Sequence, residues 1–165
     1  MISGVSIRAA SAEDIVSIQQ IAFATWPVAY GSIISPEQMQ YMLQLFYSNE
    51  SLQDQMKNGH TFLLAEIDNN CIGFASYNAL NEKVFKLQKL YINPSIQKTG
   101  AGKLLLQQVK ERSKNAGAKH LQLNVNRYNP AIEFYKKIGF IIMKEEDVHI
   151  GNNYFMNDYV MEILL

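Results

Sequence analysis

The sequence predicts an α+β fold, in which one mixed, mostly antiparallel sheet of seven strands is flanked by helices. Three strand-like runs, His60–Ile67, Cys71–Tyr77 and Val84–Ile92, follow one another with no helix between them, and such an order requires an antiparallel meander. A glycine-bearing loop after Pro94 then joins a strand to a helix. Two further runs around Gly151-Asn152-Asn153 read as a closing hairpin.

Each element has its own signal. Val5 to Arg8 alternates as a short strand, and Ser11 with Asp14 three residues on forms a variant capping box for the first helix. Ile15, Ile18, Ile21, Ala22 and Thr25 share one face of that helix, and Pro27 is expected to end it. The loop so predicted, Trp26 to Gly31, carries two large amphipathic aromatics, Trp26 and Tyr30, rings that more often pack on neighbouring helices but that could also form a lid over a cleft. Ser35-Pro36 with Gln38 starts a second helix, and a third runs from about Asn49 to Lys57, closed by Gly59. Asp68-Asn69-Asn70 is a tight turn inside the meander. Gly100 to Ala116 is a helix with Ala101, Leu105, Leu106 and Val109 toward the sheet. Lys119 to Val125 is the next strand, Pro130 to Ile138 the next helix, and Phe140 to Ile150 with Tyr154 to Leu164 the closing hairpin.

At 165 residues the chain is expected to form a single domain, residues 1–165. Lys+Arg and Asp+Glu both number 15, so no global field favours nucleic acid or an anionic membrane. The sole cysteine, Cys71, has no internal partner for a disulfide and points to a reducing interior. Met1-Ile2-Ser3-Gly4 lacks the charged and apolar regions of a signal peptide, and no apolar run approaches the ~20 residues of a membrane span, so a soluble cytoplasmic protein is expected.

The chemistry concentrates in Leu87 to Leu106. A helix start leaves backbone N–H groups without partners and adds partial positive charge, so Gln97-Lys98-Thr99-Gly100-Ala101-Gly102 can hold an anion. Two common phosphate motifs fail here. A P-loop needs Gly five residues before Gly102 and Ser or Thr after Lys103, where Gln97 and Leu104 stand, and the dinucleotide fingerprint needs Gly where Leu105 stands.

Gln-x-x-Gly-x-Gly after a strand ending Leu90-Tyr91-Ile92-Asn93-Pro94 resembles the pyrophosphate loop of the GNAT superfamily of acetyl-CoA-dependent N-acetyltransferases. Asn129-Pro130-Ala131-Ile132-Glu133-Phe134-Tyr135-Lys136-Lys137-Ile138-Gly139-Phe140 resembles the second signature of that superfamily, matching at Ala131, Tyr135, Gly139 and Phe140. Tyr128 stands where the family has Asn, with Asn129 one residue closer to Ala131. The resemblance extends over most of the chain and implies the GNAT (acyl-CoA N-acyltransferase) fold, with parallel strands at about Lys86–Ile92 and Lys119–Val125 splayed apart around the pantetheine arm.

The resemblance further implies an acetyltransferase in which a neutral primary amine attacks acetyl-CoA directly in a ternary complex. Leu90, Tyr91 and Ile92 with Asn129 would hold the pantetheine and carbonyl, and Gln97, Lys98, Thr99, Gly100, Ala101, Gly102 and Lys103 the diphosphate. Tyr135 would protonate the leaving thiolate, and Trp26 and Tyr30 would line the acceptor cleft. An alkylammonium has pKa ~10.4 and needs help to lose its proton. Lys86 and Gln88 stand where many relatives have Glu, leaving Glu66 and Glu82 as candidate bases through water. His60, His120 and His149 lack metal-ligand spacing, so no metal is expected.

More narrowly, Ile34–Gln38 through Tyr47-Ser48 and Gly151 through Met161 are similar to the bacterial polyamine (spermidine/spermine) N-acetyltransferase branch. A small amine is therefore the expected acceptor. Two alternatives stand beside it: a protein or peptide N-acetyltransferase, and a non-catalytic CoA-binding regulator. A homodimer through the C-terminal hairpin is a further family-level expectation.

Overall fold

The computed structural model describes residues 4–96 and 98–165. Strand β1 (Val5–Ala9) leads through a short 3₁₀ turn, Ala12–Asp14, into α1 (Ile15–Tyr30). The capping box forms as its spacing requires: the Ser11 hydroxyl accepts from Glu13 N at 3.3 Å, and Ser11 N donates to Asp14 Oδ2 at 2.9 Å. Helices α2 (Pro36–Tyr47) and α3 (Asn49–Lys57) follow, started by Ser35 and Ser48, whose hydroxyls accept from Gln38 N and Ser51 N.

The meander is β2 (Thr61–Ile67), β3 (Asn70–Ala79) and β4 (Val84–Ile92). Asp68 and Asn69 turn it with φ of 50° and 65°, the left-handed pair that a two-residue hairpin needs. The chain continues through α4 (Ala101–Asn115), β5 (His120–Asn126), α5 (Ala131–Ile138), β6 (Ile141–His149) and β7 (Phe155–Leu164). The described strands form one sheet in the order β1-β2-β3-β4-β5-β7-β6, antiparallel throughout except where β4 meets β5. This is the predicted mixed sheet, with its parallel pair at the centre.

Each face of the sheet has a core. On one, α4 and α5 bury Leu105, Leu106, Val109 and Tyr135 against Leu63, Leu121, Leu123 and Met161. On the other, α1 to α3 bury Ile18, Ile21, Trp26, Tyr47 and Leu52 against Phe62, Leu64 and Phe74. Each fully buried side chain of this size contributes about 1.5–3 kcal/mol. No helix of the described residues is long and apolar enough to cross a membrane.

One expectation is corrected. Pro27 does not end the first helix, which runs on to Tyr30, and Gly31 N donates to Pro27 O at 3.1 Å. Proline within the last two turns removes a single i to i−4 bond. Burying Trp26 and Tyr30 against Tyr47 and Tyr91 offsets that loss.

Candidate active site

Strands β4 and β5 pair only from Val84 with His120 to Leu87 with Leu123. Beyond Leu87, β4 has a bulge: Tyr77 faces Leu87 and Ser76 faces Lys89, leaving Gln88 as the extra residue, its amide donating to Asn78 Oδ1 at 2.9 Å. The bulge bends β4 away, and a cavity of about 350 Å³ opens between the diverging strands. Gln88 to Tyr91 form one wall and Leu123 to Asn126 the other.

Past the end of β4, Asn93 N donates to Ile72 O at 2.7 Å, and Asn93 Oδ1 accepts from Ser95 N and Oγ. Lys98 and Gly100 both adopt positive φ, 61° and 75°, and deliver the chain into α4. Thr99 Oγ1 accepts from Ala101 N at 3.2 Å, so that N–H is already satisfied. The N–H groups of Gly102 and Lys103 donate to no such cap among the described residues. Among the described residues a Cβ on Gly102 would meet only Ile92 Cγ1, at 3.7 Å, an ordinary contact, so their packing gives no reason for glycine there. Free donors with clear approach fit a phosphate group. Gln97, expected in this loop, lies outside the described residues.

Of the other residues singled out from sequence, Leu90, Tyr91, Asn129, Tyr135, Trp26 and Tyr30 line the cavity, whereas Ile92 and Lys98 to Lys103 lie outside its wall. Asn129 Oδ1 accepts from Ala131 N at 2.9 Å, so its carbonyl caps α5. Trp26 is not on a loop lid; it is part of a fixed helical wall. Its ring centroid is 4.7 Å from Tyr30, 5.8 Å from Tyr47 and 6.1 Å from Tyr91. Trp26 Nε1 and Tyr47 Oη are buried close to one another, with no hydrogen bond of good geometry among the described residues.

Tyr135 is 8% exposed and held edge-on by Phe134 and Phe140, with centroids 5.3 and 5.7 Å away. Burial, and then Tyr30, push its phenol well above the ordinary value.

The carboxylates that reach the cavity are not the expected ones. Glu66 accepts from Arg8 Nε at 2.9 Å, near the far edge of the sheet, and Glu82 is exposed in the β3–β4 turn. The wall instead carries Asp158 of β7 and Glu146 of β6. One amide joins them, as Asn124 Nδ2 donates to Asp158 Oδ2 at 3.3 Å and Glu146 Oε1 at 3.4 Å. Burial pushes the Asp158 carboxyl up, against the opposing pull of Asn124 and Lys86. Burial pushes Lys86 down, against Glu146 and Asp158. The legible signal for Asp158 was its place between Met156 and Val160, an acid at an inward position of an alternating strand.

Lys89 also escaped notice. Its ammonium donates to Gln55 Oε1 at 2.7 Å and sits over the Tyr47 and Phe62 rings at 5.6 and 5.7 Å. Burial and Lys86 push it down to about 8.

Residues 32–157 match the family model described as the acetyltransferase (GNAT) domain. The chain is 30% identical over 158 residues to the spermidine N(1)-acetyltransferase of Thermoplasma acidophilum, covering 92% of this chain and 95% of that protein. Its fold superposes on the crystal structure of the PaiA N-acetyltransferase from Thermoplasma acidophilum in complex with coenzyme A, with a TM-score of 0.83 and 28% identity, covering 98% and 99% of the two chains. A GNAT family acetyltransferase from Elizabethkingia anophelis, solved with acetyl-CoA bound, shares the fold at a TM-score of 0.67 and 19% identity, covering 99% of each chain.

Proposed function

Because the chain belongs to the GNAT family of acetyl-CoA-dependent N-acetyltransferases, we propose that it acetylates a small primary amine of the polyamine class, by direct attack in a ternary complex. The observation that carries this reading is the meeting of three features in one cavity: the gap between β4 and β5, the Tyr135 hydroxyl, and a polar end formed by Asp158 and Glu146. Carboxylates and the aromatic wall of Trp26, Tyr30 and Tyr91 suit an alkylammonium acceptor. The spermidine acetyltransferase relative supports the same class.

In this mechanism the N–H groups of Gly102 and Lys103, with Lys98 to Gly100 and Ala101 around them, hold the diphosphate of acetyl-CoA. The unpaired edge of β4 at Leu90, Tyr91 and Ile92 takes the pantetheine as an added strand and gives an N–H to the developing oxyanion. Asn129 borders the arm with its amide nitrogen, its oxygen being committed to the α5 cap. Tyr135 protonates the departing thiolate. Reference values leave that transfer uphill by roughly 2 kcal/mol, and the burial that raises the phenol raises a thiol in the same wall as well.

No group of three His, Cys, Asp or Glu that could hold a metal occurs among the described residues, and no step above needs one. Cys71 is a free thiol, in keeping with a cytoplasmic setting. Edge strand β6, with Ile141, Ile142 and Met143 exposed, is the surface a homodimer through the hairpin would use, and light scattering checks it.

The acceptor class is tested by thiol release from acetyl-CoA with spermidine, spermine, aminoglycosides, amino acids and peptides. Turnover on the polyamines supports the reading. Turnover on peptides alone transfers the enzyme to the protein-modifying class, and silence across the panel with CoA bound makes it a regulator.

A further inference from the structure

Proton removal from the acceptor has no group assigned to it, and the family position on β4 carries Lys86 and Gln88. Among the described residues Asp158 is the one acidic side chain that is buried, at 5% exposure, and it lines the cavity. No cation lies within 4.0 Å of its carboxylate among those residues. Asn124 supplies one hydrogen bond, to Oδ2, and none to Oδ1 occurs there. A buried carboxylate left so thinly partnered is destabilising unless a ligand completes its shell. Register places it opposite Asn126, at the end of β5 that has already left β4, and so beside the open part of the gap.

We infer that Asp158 is the proton acceptor for the attacking amine, with Asn124 as the residue that positions its carboxylate. The inference rests on the amine acetyltransferase reading above. As the neutral amine's lone pair forms the C–N bond, the carbonyl π pair moves to oxygen and the nitrogen becomes acidic. Asp158 takes that N–H proton. Re-formation of the carbonyl breaks the C–S bond, the sulfur takes the Tyr135 proton, and exchange with water resets both side chains. The groups facing Asp158 are Lys86 from β4, Asn124 from β5, Arg127 after β5, Glu146 from β6 and Tyr30 from α1. Burial and Glu146 favour the protonated acid, while Asn124, Lys86 and Arg127 oppose it.

The test is the pH profile of kcat at saturating acceptor, for wild type, Asp158→Asn and Asn124→Leu, with acetyl-CoA affinity by calorimetry. Asp158→Asn is expected to lower kcat by about 10²–10⁴-fold and abolish the acid limb, with cofactor affinity unchanged. Asn124→Leu is neutral for neutral; by removing the bond to Oδ2 it is expected to move the acid limb upward in pH while leaving a limb in place. Wild-type kcat and profile in Asp158→Asn overturn the inference. If that variant does not fold, an acid limb unmoved by Asn124→Leu overturns it. Absence of turnover by wild type on every amine defeats the acceptor reading itself, a different result from an active enzyme indifferent to Asp158.

Discussion

The hydroxyls of Tyr30 and Tyr91 lie 3.0 Å apart, joining the last turn of α1 to the part of β4 that lies beyond its bulge. This bond fixes the aromatic wall at the place where the sheet opens. Tyr30→Phe would leave the buried Tyr91 hydroxyl with one partner fewer, at a cost of about 1 kcal/mol, and lower Tm by about 2–4 °C. The KM for the acceptor is expected to rise by more than that for acetyl-CoA, as steady-state kinetics would show.

Tyr135→Phe removes a proton donor and keeps a ring already seated between Phe134 and Phe140. It should lower kcat by about 10²-fold or more and leave the acetyl-CoA Kd within a few-fold. Unchanged turnover at saturating substrate would take Tyr135 out of the mechanism.

Gly102→Ala separates binding from folding. Among the described residues the new methyl meets only Ile92, at 3.7 Å, and alanine gains up to about 1 kcal/mol of helix propensity over glycine. Tm should hold or rise while CoA binds roughly tenfold more weakly, because the methyl stands where a phosphate approaches the N–H groups. Undiminished affinity in calorimetry would place the diphosphate elsewhere.

Lys89 gives a pH signature. It loses its proton near pH 8 in the fold and near ~10.4 in the unfolded chain, so between those values the unfolded chain binds more protons and stability rises with pH. Lys89→Met should therefore stabilise the protein by roughly 1–2 kcal/mol at pH 7, net of the lost Gln55 bond, with the gain fading toward pH 10. Urea midpoints at the two pH values would show it.

Local signals made most of the fold legible. The bounds of β4 and α3 match the expected ones, because Asn93-Pro94, Ser48 and Gly59 are punctuation that acts within a few residues. The start of α4 at Gly100 was legible for a related reason, and Tyr135, singled out by the resemblance of its segment, lies at the cavity wall with Phe134 and Phe140 packed on it. Pro27 misled because its local cost was outweighed by aromatic packing with Tyr47 and Tyr91, residues far along the chain. Asp158 and Glu146 were missed because only the strand order β5-β7-β6 brings the final hairpin to the cavity. The inward place of Asp158 between Met156 and Val160 marks it as buried, but nothing near it in sequence says that it faces the cavity.

The extra residue at Gln88 works like a frameshift within a single strand. Before it, odd-numbered Phe85 and Leu87 join the core under α4; after it, even-numbered Leu90 and Ile92 do, while Lys89 and Tyr91 turn to the opposite side. Forcing Gln88 to take its place in strict alternation would drive a lysine into the oily layer beneath α4 while turning two aliphatic side chains out of it. The strand therefore cannot be tidied into regular pleating without being turned inside out over half its length.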